Sequence, residues 1–129
     1  MNMESRTAVL LISVLPEAHA SMLEALRQRG IPAEVARSGK HAVRKLRRRP
    51  VLVLVDLTHG PSLDRHSIER LNATRRTSTV LALHDGDLAQ FADELEDLVV
   101  DGFCRVGEWV PIVELAAENI GLIEMGPHH

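Results

Sequence analysis

The chain has 129 residues, of which 45% are hydrophobic and 26% are charged, and its formal net charge is −3. These values are typical of one soluble globular domain, and no apolar run approaches the roughly 18 residues of a membrane-spanning helix. Aromatic residues are nearly absent, which argues against a surface that stacks on nucleobases. The single cysteine, Cys104, rules out an internal disulfide and fits a reducing compartment. We therefore expect a cytoplasmic protein without a membrane span.

The first half of the chain alternates apolar runs with amphipathic segments. Strands are predicted at Val9–Val14, Ala33–Ala36 and Val51–Asp56, and helices at Glu17–Arg29 and Gly39–Arg49. Gly30 lies just past the first helix, and Ser38 is placed to cap the second. The run Val51–Val55 after Pro50 is typical of a strand that is buried on both faces. Its last residue, Asp56, is an acid at the strand end where open α/β sheets place their chemistry.

The second half continues the alternation. A loop over residues 58–62 leads to a helix with apolar residues Leu63, Ile68 and Leu71. A strand at Thr79–His84, a helix with the stripe Leu88, Phe91, Ala92, Leu95 and Val99, a strand at Gly102–Val106 and a helix at Pro111–Glu124 follow. Five successive βα units predict an α/β fold with a parallel sheet covered by helices on both faces. We assign residues 1–125 to one domain and residues 126–129 to a tail without fold information.

The N-terminal segment imitates a secretory signal. Arg6 precedes the apolar run Ala8–Leu15, and Ala18-His19-Ala20 has the spacing of a cleavage site. Pro16 and Glu17 crowd that site, and cleavage would remove the first strand. We interpret the segment as part of the fold.

Four stretches together resemble the receiver domain of two-component response regulators over nearly the full chain. They are Val9-Leu10-Leu11-Ile12, Ala36-Arg37-Ser38-Gly39-Lys40-His41-Ala42, Pro50-Val51-Leu52-Val53-Leu54-Val55-Asp56-Leu57 and Asp101-Gly102-Phe103. The resemblance implies a flavodoxin-like (CheY-like) doubly wound (βα)5 fold, with five parallel strands in the order 2-1-3-4-5. It also implies two-component signal transduction, in which a histidine kinase phosphorylates the aspartate that ends strand three, here Asp56.

Most positions that handle phosphate in the resembled family differ in this chain. The family's two acids after strand one correspond to Ser13 and Val14, its hydroxyl residue after strand four to His84, and its lysine after strand five to Val106. The aromatic switch position is kept as Phe103. Mg²⁺ needs hard carboxylate ligands to neutralise a phosphoryl group. We therefore expect Asp56 to be only the equivalent of a phosphoacceptor, with no catalytic residues, no cofactor, weak or absent Mg²⁺ binding and no enzyme activity.

Two histidines are expected near Asp56 at the carboxyl edge of the sheet. His59 and His84 could bind zinc together with this acid, but no zinc motif is present. Ordinary hydrogen-bonded histidines and a carboxylate at a solvated strand end are the simpler expectation. A pH-sensing role for His84 is a further hypothesis, since imidazole titrates near neutral pH.

The charges are unevenly distributed. Residues 27–49 hold nine basic residues and one acid, whereas residues 85–101 hold seven acids and no base. The basic helix lacks interleaved aromatics and any nucleic-acid motif, so we expect no direct nucleic-acid binding. The last helix has apolar residues beyond one stripe: Ile112, Val113, Ala116 and Ile120, with Leu115 and Leu122 on another side. We expect the fourth helix, fifth strand and fifth helix to bind a protein partner or output domain, or to form a homodimer.

Three functions are consistent with these features. The first is a pseudo-receiver that regulates by protein–protein interaction, and the second is an atypical receiver that is phosphorylated on Asp56. The third is a flavodoxin-like ligand-binding domain or enzyme. It is the least favoured, because the loop after strand one has no glycine and carries the acid Glu17, which is unfavourable for an anionic cofactor.

Overall fold

The computed structural model describes residues 7–125, with side chains up to residue 119, and has the predicted α/β architecture. The strands are β1 (Val9–Ile12), β2 (Ala33–Ala36), β3 (Leu52–Asp56), β4 (Thr79–His84) and β5 (Gly102–Arg105). The helices are α1 (Ala20–Gln28), α2 (Gly39–Leu46), α3 (Arg65–Thr74), α4 (Ala92–Asp97) and α5 (Val110–Met125). All strand pairs are parallel and their order is β2-β1-β3-β4-β5, which confirms the predicted doubly wound topology.

The sheet, with β1 and β3 in its interior, divides the core into two layers. Alternate residues of a strand point to opposite faces of the sheet. Val9 and Leu11 of β1 therefore pack beneath α1 and α5, whereas Leu10 and Ile12 pack beneath α2 and α3. Every residue of β1 and β3 is buried. This double burial explains why both strands read as continuous apolar runs.

Several predicted local features are confirmed. The Ser38 side chain accepts a hydrogen bond from the His41 backbone N–H at 3.0 Å and caps α2. Gly30 follows α1 in the left-handed region, with φ of 71°. Pro111 lies in the first turn of α5. Cys104 is half-buried at the margin of the first core layer, and burial raises the pKa of its thiol, as expected for an unreactive packing residue.

Other boundaries differ from the prediction. β1 ends at Ile12, and the predicted first helix begins with a 3₁₀ turn, Pro16–His19, before α1. β5 ends at Arg105, and α2 ends at Leu46, after which the chain turns through Arg49 with a positive φ of 52°.

The predicted fourth helix is wrong in extent. It forms a 3₁₀ turn at Leu88–Phe91 followed by the short α4, and Leu98 adopts an extended backbone that ends the helix. Val99 therefore leaves the predicted stripe and is 46% exposed.

The extra apolar side of α5 is partly explained. Leu115 is half-buried against the same core layer that contains Ile112 and Val113. The side chains of Ile120 and Leu122, and the predicted tail at 126–129, lie outside the described residues. Within residues 7–125, none of the helices combines the length and hydropathy that a membrane span requires.

Candidate functional site

Asp56 is buried at the carboxyl edge of the sheet. It ends β3, the central strand, and only 1% of its surface is exposed. The expectation that this carboxylate lies at a solvated strand end is therefore wrong. The loops that follow β1 and β3 close over this edge: the Val14 N–H donates to the His59 carbonyl at 2.8 Å and joins the two loops.

Three donors satisfy the buried carboxylate. The His19 Nε2 lies 2.6 Å from Oδ2, and the Ser13 hydroxyl donates to the same oxygen at 2.9 Å. The backbone N–H of His59 donates to Oδ1 at 2.9 Å. Because an ionised carboxylate only accepts hydrogen bonds, Nε2 of His19 carries the proton that it donates.

The tight turn after β1 brings His19 to Asp56. Pro16 begins the 3₁₀ turn, and His19 is its last residue, immediately before α1. Ser13 holds the start of the turn, since its hydroxyl accepts a hydrogen bond from the Leu15 N–H at 3.0 Å. The His19 ring is 5% exposed, so the pair that it forms with Asp56 is shielded from water.

The loop after β3 also requires close backbone approach. A Cβ atom on Gly60 would lie 2.0 Å from the carbonyl oxygen of Asp56. Glycine therefore allows the chain to fold back tightly, which positions the His59 N–H on the carboxylate.

These contacts keep the Asp56 carboxylate ionised. Burial alone would raise its pKa, since a carboxylate loses its hydration when it is buried. The hydrogen bonds from His19, His59 and Ser13 outweigh that effect, and the pKa of Asp56 lies below its ordinary value.

The structure brings only some of the predicted site residues together. Ser13 contacts Asp56 directly, whereas Val14 is 46% exposed and contributes its backbone. Val106 packs at the margin of the first core layer, and its N–H donates to the His84 carbonyl at 2.6 Å. Phe103 points outward from β5 and is 49% exposed.

The two predicted edge histidines differ in their relation to Asp56. Nδ1 of His59 lies 3.7 Å from Oδ2, as expected for a neighbour of the acid. His84 lies one residue beyond Leu83, which is the β4 partner of Asp56 in the sheet. Nδ1 of each histidine is buried without a hydrogen-bond partner in the described part of the chain.

The donor set around Asp56 does not match the needs of Mg²⁺. One carboxylate is accompanied by a hydroxyl and imidazoles, whereas Mg²⁺ prefers an octahedron of oxygen ligands that includes carboxylates. Among the described residues, no three His, Cys, Asp or Glu side chains are placed so that they could share a metal ion.

Sequence reasoning missed His19. In the sequence, His19 is marked only as the centre of a cleavage-site pattern, although it lies six positions after Ser13, on the loop that leaves the carboxyl end of β1. Its position on that loop could have suggested proximity to Asp56, because the loops after parallel strands gather at one edge. The inward direction of its side chain depends on the 3₁₀ turn that begins at Pro16, and the sequence does not distinguish this turn from the first turn of the predicted α-helix.

Comparisons with known proteins identify the fold. No protein-family profile and no curated protein sequence matches the chain. Solved structures of receiver domains do match. The receiver domain of a sensor histidine kinase from Pseudomonas aeruginosa PAO1, described with magnesium in its active site cleft, has a TM-score of 0.67 and 20% identity, over 88% of this chain and 99% of that one.

Two further structures give the same result. A protein described as a response regulator from Chloroflexus aurantiacus J-10-fl matches with a TM-score of 0.66 and 17% identity, over 90% of this chain and 98% of that one. A two-component response regulator from Legionella pneumophila matches with a TM-score of 0.66 and 18% identity, over 88% of this chain and 99% of that one. At sequence identities this low, the matches show a similarity of fold alone.

Proposed function

We propose that this chain, which has the fold of response regulator receiver domains, is a pseudo-receiver of a two-component-type signalling system. It acts through protein–protein contacts and not through Mg²⁺-dependent phosphorylation of Asp56, and it is not an enzyme. The observation that carries the proposal is the buried pair of His19 and Asp56, with Ser13 as a second donor to the same carboxylate oxygen.

The hydrogen bonds leave Asp56 poorly available as a nucleophile. Oδ2 accepts from both His19 and Ser13, and Oδ1 accepts from the His59 N–H. A carboxylate oxygen offers about two lone-pair sites, so Oδ2 has none free for a phosphoryl group and Oδ1 has one. Only 1% of the residue is exposed, so little of the carboxylate is accessible to a phosphodonor.

Phosphoryl transfer also needs a cation that neutralises the transferred group. The imidazole of His19 is hydrogen-bonded to Oδ2 of Asp56, and Ser13 supplies a hydroxyl where the resembled family has an acid. The residues present thus favour an internal hydrogen-bonded pair over a magnesium site.

The surface formed by α4, β5 and α5 is the proposed partner-docking face. It exposes three large apolar residues: Val99, Phe103 and Val110 are 46%, 49% and 57% exposed. β5 is an edge strand of the sheet, so its outer backbone groups are also available for pairing. A partner protein or an output domain is the proposed ligand of this face, and a second copy is the alternative.

An atypical phosphoacceptor remains the second candidate function. The lowered pKa of Asp56 favours it, because the ionised carboxylate is the nucleophilic form. The two functions make opposite predictions about covalent modification.

Intact-mass spectrometry after incubation with acetyl phosphate and millimolar Mg²⁺ separates these functions. We expect no phosphoryl adduct on the wild-type protein. An adduct that disappears in Asp56→Asn would overturn the pseudo-receiver proposal and support the atypical receiver.

A designed variant provides the positive control. His19→Ala with Ser13→Asp removes the imidazole and places a second carboxylate beside Asp56. We expect this variant to gain a rise in melting temperature with millimolar Mg²⁺ that the wild type lacks. An equal rise in the wild type would contradict the proposed absence of a magnesium site.

A further inference from the structure

A groove of about 370 Å³ lies between α4 and the segment that runs from the end of β3 into α3, and its lining includes Asp56. Leu63, Ile68 and Leu98 are among the apolar residues that line it. The side chains that line it from α4 are all acidic: Asp93, Glu94 and Asp97. A groove of this kind suits a long side chain that combines an aliphatic stem with a cationic head.

The three α4 carboxylates of the groove, those of Asp93, Glu94 and Asp97, have no ion-pair partner among the described residues. Asp101, by contrast, is already paired with Arg75. Negative charge therefore accumulates along one side of the groove.

Helix α2 presents the complementary charge. Lys40, Arg44 and Arg47 are exposed, and spacings of four and three residues place them on one side of the helix. None of the three takes part in an ion pair within the described residues. Lys45 and Arg48, by contrast, both pair with Glu34 of β2.

The acidic groove and the basic stripe flank α3 on the same face of the sheet. On one side, α2 packs closely on α3, since a Cβ atom on Gly39 would lie 2.6 Å from the Ser67 hydroxyl. On the other side, the Asn72 side chain of α3 donates to the Asp97 carbonyl and accepts from the Val99 N–H, each at 2.9 Å. The order across this face is therefore basic α2, central α3 and acidic α4.

We infer that a second copy of this chain binds through the α2–α3–α4 face, with a two-fold axis that runs along α3. Such an axis places α2 of each copy over α4 of the other. Lys40, Arg44 and Arg47 then meet Asp93, Glu94 and Asp97 twice in one dimer. The contact is closed and symmetric, so it ends at two copies.

The chemistry of the contact predicts how it responds to salt. The stems of Lys40, Arg44 and Arg47 lie along the apolar walls of the partner's groove, and their cationic heads reach the carboxylates. Exposed ion pairs are individually weak and are screened by salt. We therefore expect a dimer that forms at low ionic strength and dissociates at high ionic strength. Its formation does not depend on phosphorylation of Asp56.

A charge-swap experiment tests this dimer by sedimentation velocity at low salt. One variant carries Lys40→Glu, Arg44→Glu and Arg47→Glu, and the other carries Asp93→Lys, Glu94→Lys and Asp97→Lys. We expect the wild type to dimerise and each variant alone to be monomeric. An equimolar mixture of the two variants should recover the dimer, because each contact then pairs opposite charges again.

Two further variants identify the face. Glu17→Lys, Glu108→Lys and Glu118→Lys together change the net charge as much as the α4 variant does, at exposed acids outside the face, and should leave the dimer intact. Phe103→Glu should also leave it intact, since it alters the α4–β5–α5 surface.

The inference is overturned by three results. These are a wild-type monomer at high micromolar concentration in low salt, charge-swap variants that dimerise as well as the wild type, and a folded variant mixture that stays monomeric. Circular dichroism melting curves of each variant establish that the proteins compared are folded.

Discussion

Removing the His19 imidazole should destabilise the protein through Asp56. In His19→Ala the carboxylate keeps its hydrogen bonds from Ser13 and the His59 N–H but loses the 2.6 Å contact with Nε2. A hydrogen bond to a charged group contributes about 1.5–3 kcal/mol, and the two remaining donors keep the loss within that range. For a domain of this size we expect the melting temperature to fall by roughly 5–12 °C.

The double-mutant cycle isolates the contact itself. His19→Ala, Asp56→Ala and the double variant are compared with the wild type by urea denaturation at neutral pH. We expect a coupling free energy of about 1.5–3 kcal/mol between the two side chains. His66→Ala is the matched control, because His66 is an exposed histidine on α3 and should cost less than about 0.5 kcal/mol.

A coupling free energy near zero would refute the reasoning. It would mean that His19 and Asp56 do not interact in solution, and that the carboxylate is free to bind something else. A large loss of stability in the His66 control would show instead that histidine removal is generally damaging.

Three smaller perturbations test the loops and helices around the site. Gly60→Ala should cost more than about 2 kcal/mol in the free energy of unfolding, since its Cβ would lie 2.0 Å from the Asp56 carbonyl oxygen. The control Gly86→Ala, with open space around its Cβ, should be nearly neutral. Equal losses of stability for the two variants in thermal melting would contradict this. Ser38→Ala removes the cap of α2 and should cost about 1 kcal/mol, with unchanged stability in urea denaturation as the contrary result. The Arg75 guanidinium and the Val80 N–H hold the pKa of Asp101 below its usual 3.8, so this carboxylate stabilises the fold above pH 3.8 and loses that effect as pH falls through the lower folded pKa. Asp101→Asn should therefore be less stable than the wild type at pH 6, with a difference that shrinks below pH 3.8; a difference that stays constant in acid would refute the assignment.

The parallel sheet is predictable from the sequence because burial determines the apolar pattern of its strands, whereas the strand order follows from the resemblance to receiver domains. β1 and β3 are buried on both faces and read as unbroken apolar runs, and each ends at the edge where Ser13 and Asp56 meet. Alternation of strands and helices then restricts the topology to a parallel sheet with right-handed crossovers. The resemblance to receiver domains includes both of these stretches.

The contacts of Asp56 inside the site could not be predicted from the sequence in the same way. Whether Asp56 faces water depends on how two loops close, and that closure depends on the turn at Pro16 and the tight return at Gly60. The side chain of His19 enters the site only as a result of this loop geometry. The end of α4 was missed for a similar reason, since Asn72 of α3 fixes the backbone at Val99 through a contact between distant residues.

The nitrogen and proton resonances of the His19 ring test the central claim most directly. A two-dimensional ¹H–¹⁵N spectrum of the imidazole should show Nε2 protonated, with its proton shifted downfield by the hydrogen bond to Asp56. We expect these signals to stay unchanged when millimolar Mg²⁺ and beryllofluoride are added. Loss of the hydrogen-bonded proton together with shifts centred on Asp56 would contradict the account, because the carboxylate would then have exchanged His19 for the cation.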